Sequence, residues 1–466
     1  MHFATPSSRR WIGIALVATT VLVATTALSG STAHARSSLC GTAADDLVAA
    51  RAGLTREWVV QVPFDSSSWR LDRVVVGGDL VVAEAGDGTL AAIATGGNDS
   101  RPGTVVWCRP GDGSRLPIET VGIGPKSVAV ARGDRLTAID SVTGRTIWDR
   151  SLPSLASAAA MPSAGFIYTP LARGKLAKLA ERPATLTIAA AMAEQSDSFP
   201  SEPAEDRFET LNSPGSIEFA PLPYDNGILW CTTDGVLVAE VIVDDSNPRL
   251  EFDLGSPASG PPVVRGGDIF VATHTGDIAR IARSPSGLRA TPGVGHDAEG
   301  QAIPYTGWHT VIDEQPEGSP VVGDGTVVVS LGPSGLAAFA AVTGDLLWQS
   351  PLAGRPLAII DGRVWCLDAT GFLSARDLRT GQRVARLCLG CFTVPVVDPR
   401  GERLVLASPK GLVVSLAGRR TRAAEPPVPH PPTLPRQPAA EPEGDRGIDP
   451  PANTVAPPDG AAADNT

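Results

Sequence analysis

Short runs of Val, Ile, Leu and Ala, bounded by Gly, Asp, Asn and Pro, recur along the chain and predict strands joined by tight turns rather than long helices. One pattern is written clearly twice, LTAIDSVTGRTIW from Leu136 to Trp148 and LAAFAAVTGDLLW from Leu336 to Trp348. A third copy, Leu373 to Ala385, keeps the spacing without the Trp. Each copy predicts a strand, a turn closed by Thr-Gly, and a second strand. Gly144, Gly344 and Gly381 supply the positive φ that such a turn needs, and a nearby Asp or Thr can bond the turn backbone. A further β-rich run precedes each copy, at 127–131, 326–330 and 363–367, so the unit is a meander of short antiparallel strands.

The apolar residue that opens the third strand of each unit is Leu90, Leu136, Leu176, Leu237, Ile278, Leu336, Leu373 and Leu412. Four of the seven intervals lie close to the ~40–45 residues of a four-stranded propeller blade. The two longest contain insertions that read as loops, Ser196 to Ser216 and Gly287 to Gly307, the second carrying His296 and Asp297. Eight such units in a row would leave two sheet edges open, so the expectation is a closed all-β ring, an eight-bladed β-propeller of four-stranded antiparallel blades, with seven blades the alternative. The eighth unit lacks its outer strand, and an orphan strand stands at 57–62 with Trp58 in it. Pairing the two closes the ring. The expected organisation is a signal peptide over 1–35, a lead segment over 36–56, the propeller over 57–422, and a disordered Pro-rich tail over 423–466.

Composition narrows the function. Gly 49 and Pro 42 make up about a fifth of the 466 residues, the net charge is −11, and positive charge is nearly all Arg without a basic patch. Sequence-independent nucleic-acid binding is excluded on that ground, and a negative field favours basic or neutral partners. Arg9 and Arg10 precede the uncharged apolar run 11–28 and the small-x-small triplet at 33–35, the pattern of a secretory signal cut before Arg36. The expectation is therefore an exported protein, periplasmic or extracellular, with no stable membrane span after cleavage; an uncleaved anchor is the alternative. Leu39 before Cys40 disfavours lipidation. Export places the six cysteines in an oxidising space. Cys388 and Cys391 form the one closely spaced pair, read as either a local disulfide or two buried thiols.

The units resemble the repeat of pyrroloquinoline-quinone-like β-propellers, which include quinoprotein alcohol dehydrogenases and BamB-type outer-membrane assembly lipoproteins. The resemblance implies that the Trp of each outer strand docks on the next blade's turn, which makes Trp58, Trp107, Trp148 and Trp348 structural girdle residues, with Phe252 standing in for Trp in the fourth unit. The dehydrogenase branch implies an axial quinone, a Ca²⁺ with carboxylate and amide ligands, a catalytic Asp and two adjacent cysteines. No two cysteines are adjacent here, and Gly-x-Ser-x-Gly is absent. His296, Asp297 and His309 are the remaining candidates for a loop site. The expectation is thus a monomeric, non-catalytic scaffold without cofactor, metal or catalytic residues, which binds an envelope protein as the BamB-like branch implies. A quinone-dependent dehydrogenase and a small-ligand or polysaccharide-binding propeller are the alternatives.

Overall fold

In the computed structural model the described residues are 45–419, apart from 97–99, 112–120, 183–207, 242–248, short stretches within 285–305, 352–353, Pro399 and a single position at 369. The chain divides after Ala423, and residues 1–44 and 420–466, which hold the expected signal and tail, lie outside the described set.

Eight antiparallel sheets follow one another around a ring, which makes the fold the expected eight-bladed β-propeller. Blade 1 runs from Leu71–Gly77 at the axis through Leu80–Ala85 and Leu90–Ala94 to Val105–Arg109 at the rim. Blades 2 to 7 repeat that order over 122–151, 161–212, 222–253, 263–311, 317–350 and 355–388. Each of the eight apolar markers opens its blade's third strand or stands one residue inside it. Those third strands carry small residues facing their neighbours: Ala91, Ala92, Ala138, Ala177, Ala239, Ala338 and Ala375 are all fully buried. Small side chains there let adjacent sheets approach, and the β-branched residues of the second strands fill the remaining space. The core is accordingly a series of inter-blade clusters, such as Val75, Val82, Trp107, Val128 and Ile139 between blades 1 and 2.

Blade 8 is built from both ends of the propeller. Leu404–Ala407 and Leu412–Gly418 come from the C-terminal side, and the outermost strand is Leu54–Gln61, paired from Leu54 opposite Gly418 to Gln61 opposite Leu412. A bulge between Arg56 and Trp58 places Trp58 opposite Ser415, whose hydroxyl donates to Glu57 over 2.9 Å. Ahead of this strand a short helix, α1 (Asp46–Arg51), is capped by Asp45, and its Ala49 joins Leu389, Phe392 and Leu416 in one cluster. The side chains of Arg363 and Arg419 donate to the carbonyls of Ala52 and Ala50, satisfying acceptors that the helix end leaves open.

The insertions need a correction. Residues 196–216 are not all loop, since Glu209–Asn212 is the rim strand of blade 3. The stretch 287–307 contains three short strand pieces before Thr306–Val311 forms the rim of blade 5. One piece, Gly295–His296, pairs with the rim strand of blade 4, Arg249–Asp253. An edge strand offers a row of unpaired N–H and C=O groups, and this insertion from the next blade supplies partners for them.

Candidate functional site

Because every blade reverses direction at each strand, its first and third turns lie on one face of the ring, here the lower face. Its second turn and the link to the next blade lie on the upper face. The tryptophans organise the lower face. The indole N–H of Trp107 donates to Ser141 O (2.9 Å), that of Trp148 to Glu181 O (3.0 Å) and that of Trp348 to Leu378 O (2.7 Å), each on the following blade. Gly144 and Gly381 have φ of +70° and +69°, and a Cβ on either would stand 2.6–2.7 Å from the Trp107 or Trp348 ring, so the docking surface is bare backbone. Two members of this set are not legible in the repeat. Gly344 receives Trp308, which donates to Ala341 O over 2.9 Å, and Gly103 receives Trp58. The interruption at 287–307 separates Trp308 from its strand partner, and the longer third turn of blade 1 hides Gly103. The indole N–H of Trp58, at the seam, finds no acceptor among the described residues.

The third turn is short in blades 2, 6 and 7, where a few residues around Gly144, Gly344 and Gly381 join the two outer strands. In blades 1, 3, 4 and 5 the same connection is long, spanning 95–104, 181–208, 242–248 and 285–305. In blade 8 it is missing, replaced by α1 on one side and the exit at Arg419 on the other. These four connections therefore leave and rejoin their blades on the lower face, and both ends of the ring lie there too.

Several described charged groups near this face pair with one another. Between blades 5 and 6 lies a cavity of about 230 Å³, lined by Arg265, Asp268, Phe270, Arg280, Asp324 and Val342 among others. Arg280 grips Asp268 through two nitrogens, at 2.7 and 2.8 Å, and donates to Val342 O. Arg265 meets Glu402 at 2.7 Å. Between blades 3 and 4 the ammonium of Lys178, with a side chain only 4% exposed, lies 3.0 Å from Glu209, 3.7 Å from Glu240 and over the Phe166 ring. Burial pushes the Glu240 carboxyl up, and Lys178 opposes that. The Tyr168 hydroxyl is raised by burial and by Glu240, and it has no hydrogen-bond partner among the described residues.

The expected loop site does not assemble among the described residues. His309 is a rim-strand residue of blade 5, paired opposite Ala279, and its Nε2 lies 2.8 Å from Asp277 Oδ1 on the third strand. That bond and those from Thr275 and Thr273 hold the Asp277 carboxyl low against the upward push of burial. The His296 main chain lies on the blade 4 edge, and Asp297 lies outside the described residues.

The cysteines also differ from expectation. Cys388 is an exposed thiol, whereas Cys391 is disulfide-bonded. A local 388–391 bridge is therefore not formed. Leu387 and Leu389 turn into the core and leave Cys388 on the solvent side, while Cys391 packs against the cluster beneath α1.

Cys231 and Cys366 stand in separate blades, with thiols pushed up to about 12 by burial. Among the described residues no group of three or more His, Cys, Asp or Glu side chains is placed to hold a metal ion.

A sequence-family model described as outer membrane protein assembly factor BamB matches residues 305–391. No curated protein matches the chain. Among solved structures, BamB from Moraxella catarrhalis superposes with a TM-score of 0.51 at 18% identity, over 78% of this chain and 98% of that one. The computationally designed Ika8 protein gives a TM-score of 0.49 at 15% identity, over 77% of this chain and 99% of that one. At 18% identity the likeness to the Moraxella catarrhalis structure is one of fold.

Proposed function

On the premise that the chain is a PQQ-like β-propeller repeat protein, we propose that it is an exported, non-catalytic scaffold that binds a partner protein of the cell envelope through its lower face. The observation that carries this reading is that four long third connections leave and rejoin the ring on that face, while the blades keep one repeated strand order. A closed ring tolerates connections of unequal length without cost to its core, and such loops are where recognition is placed. The matched family's description as an assembly factor points to a protein partner. Three features of the lower face favour binding over chemistry: Arg280 is committed to Asp268, Arg265 to Glu402, and the cavity of about 230 Å³ falls below the ~300 Å³ of ordinary small-ligand pockets. With a net charge of −11, the preferred partner surface is basic or neutral. The propeller of this reading spans 57–422, follows a signal over 1–35 and acts as a monomer.

The test is affinity capture from the native envelope, with the long connections of blades 3, 4 and 5 each cut back to the short turn of blade 2. Loss of one reproducible partner on trimming is the expected result, and equal capture by the trimmed protein overturns the lower-face assignment. In parallel, protein mixed with pyrroloquinoline quinone and Ca²⁺ is expected to show no dye-linked alcohol oxidation. Turnover there would establish the dehydrogenase alternative instead.

A further inference from the structure

The innermost chain of blade 8 does not stay in its own blade. Val394 bridges Ala407 as an innermost strand should, but Val396–Val397 then pairs in parallel with Val74–Val75, the axial strand of blade 1. The Val74 amide donates to Pro395 O over 3.2 Å. Beyond it the chain keeps going across the ring. Gly401 O accepts from the Ile359 amide of blade 7 at 3.0 Å, and a Cβ on Gly401 would stand 3.2 Å from Val321 of blade 6. Glu402 meets Arg265 of blade 5 at 2.7 Å, and Arg403 reaches Thr95 O of blade 1. In an eight-membered ring blades 5 and 8 are three places apart, so a contact between their inner ends is made across the axis.

We propose that this arm, residues 394–403 with Pro399 left aside, is a second clasp that closes the ring from the axis and bars the channel at its lower mouth. The first clasp, Leu54–Gln61, works at the rim and joins the two ends of the propeller. The arm ties blade 8 to blade 1 by main-chain pairing and to blades 5, 6 and 7 at its tip. The two parts differ in strength. Backbone pairing near the axis is shielded, whereas the Arg265 and Glu402 side chains are 37% and 53% exposed and form a solvent-screened pair. The tip is therefore the part that releases first. Val397 is 46% exposed although it sits at the axis, which places its free surface in the channel. A ligand reaching the axis would enter from the upper face alone. The proposal stands apart from the partner-binding reading and survives its failure.

The experiment uses the full chain. Glu402→Ala is expected to speed amide exchange at Ile359 by several-fold and leave Val74 unchanged. Gly401→Val, which forces a side chain against Val321 at a φ of +60°, is expected to speed Ile359 by about tenfold or more. Unchanged exchange at Ile359 in both variants overturns the clasp. If Gly401→Val does not fold, Glu402→Ala decides alone. For the channel, Val397→Cys is labelled with iodoacetamide and with a bulky polyethylene-glycol maleimide, with exposed Cys388 of the same chain as reference. The bulky reagent is expected to lag at position 397 by about tenfold relative to Cys388. Equal relative rates with both reagents would show that position 397 does not face a confined channel and would overturn the axial placement of the arm.

Discussion

Glu84 offers a quantitative test of the packing between blades 1 and 2. It lies on the second strand of blade 1, opposite Arg73 on the axial strand, and is 9% exposed. Its Oε2 has no hydrogen-bond partner among the described residues. Burial raises the carboxyl from 4.5 to about 7, reinforced by Asp72 and opposed by Arg73 and Arg132. The folded state thus holds this proton more tightly than the unfolded chain does. The stability so gained is complete below pH 4.5, declines by ~1.36 kcal/mol per pH unit as pH rises, and is gone above about pH 7. The whole span corresponds to about 3 kcal/mol. Glu84→Gln keeps the shape of the neutral acid and cannot ionise. Urea unfolding of wild type and variant between pH 4 and pH 8.5 should give curves that coincide at the acid end. They should then diverge until the variant is more stable by about 3 kcal/mol above pH 7.5. Parallel curves, or a variant less stable at pH 8, would show that the carboxyl is ionised in the fold at no cost and would refute the burial argument.

Four further outcomes follow from the same geometry. Gly381→Ala drives a Cβ to 2.7 Å from the Trp348 ring at a φ of +69° and should cost about 2 kcal/mol or more in urea unfolding, whereas Gly362→Ala, with φ of +71° but open space around it, should cost less. Trp148→Ala removes a buried ring and its bond to Glu181 O and should lower stability by about 3–5 kcal/mol. Lys178→Met leaves the buried Glu240 without its nearest countercharge and should cost about 3 kcal/mol, a loss that Glu240→Gln in the same chain should partly restore in a double-mutant cycle. Alkylation of the native protein mapped by mass spectrometry should mark Cys388 at once, Cys231 and Cys366 only after unfolding, and Cys391 only after reduction.

The parts of this fold that can be read from sequence are those each blade writes for itself. Leu136 to Trp148 specifies two strands, their turn and the glycine on which the preceding tryptophan rests, because these depend on residues a few positions apart. Ring closure was also legible, since Trp58 stood on a strand without a partner and Leu412 opened a blade without a rim. What escaped depends on partners that sequence distance conceals. Trp308 is separated from Ile278 by the insertion it follows, so its seat on Gly344 is not written in the repeat. Val394 to Arg403 reads as an ordinary strand and turn, and nothing in it announces pairing with Val74–Val75 rather than with its own blade. Lys178 and Glu240 look like alternating solvent positions, yet the packing of blade 3 on blade 4 buries both. The Cys388 and Cys391 spacing suggested a bridge that the alternation of Leu387 and Leu389 into the core makes unfavourable.

The placement of the long connections follows from how the blades are held. Three indoles bond to the carbonyl three residues before a docking glycine, Trp107 at Ser141, Trp308 at Ala341 and Trp348 at Leu378, so the contact uses the opening of the third turn and its glycine. Trp148 makes the same contact at Glu181, directly ahead of the long connection of blade 3, without any glycine described there. The carbonyl contact therefore suffices to seat one blade on the next, and chain added after it leaves the seat intact. Extra chain in the second turn would meet no such boundary. There the turns bear on their own sheets, as when Gly335 donates to Gly332 O and Leu331 to Gly335 O. The third connections are therefore a place where this ring can lengthen without loosening. A surface that varies freely over a fixed support is the arrangement that protein recognition requires.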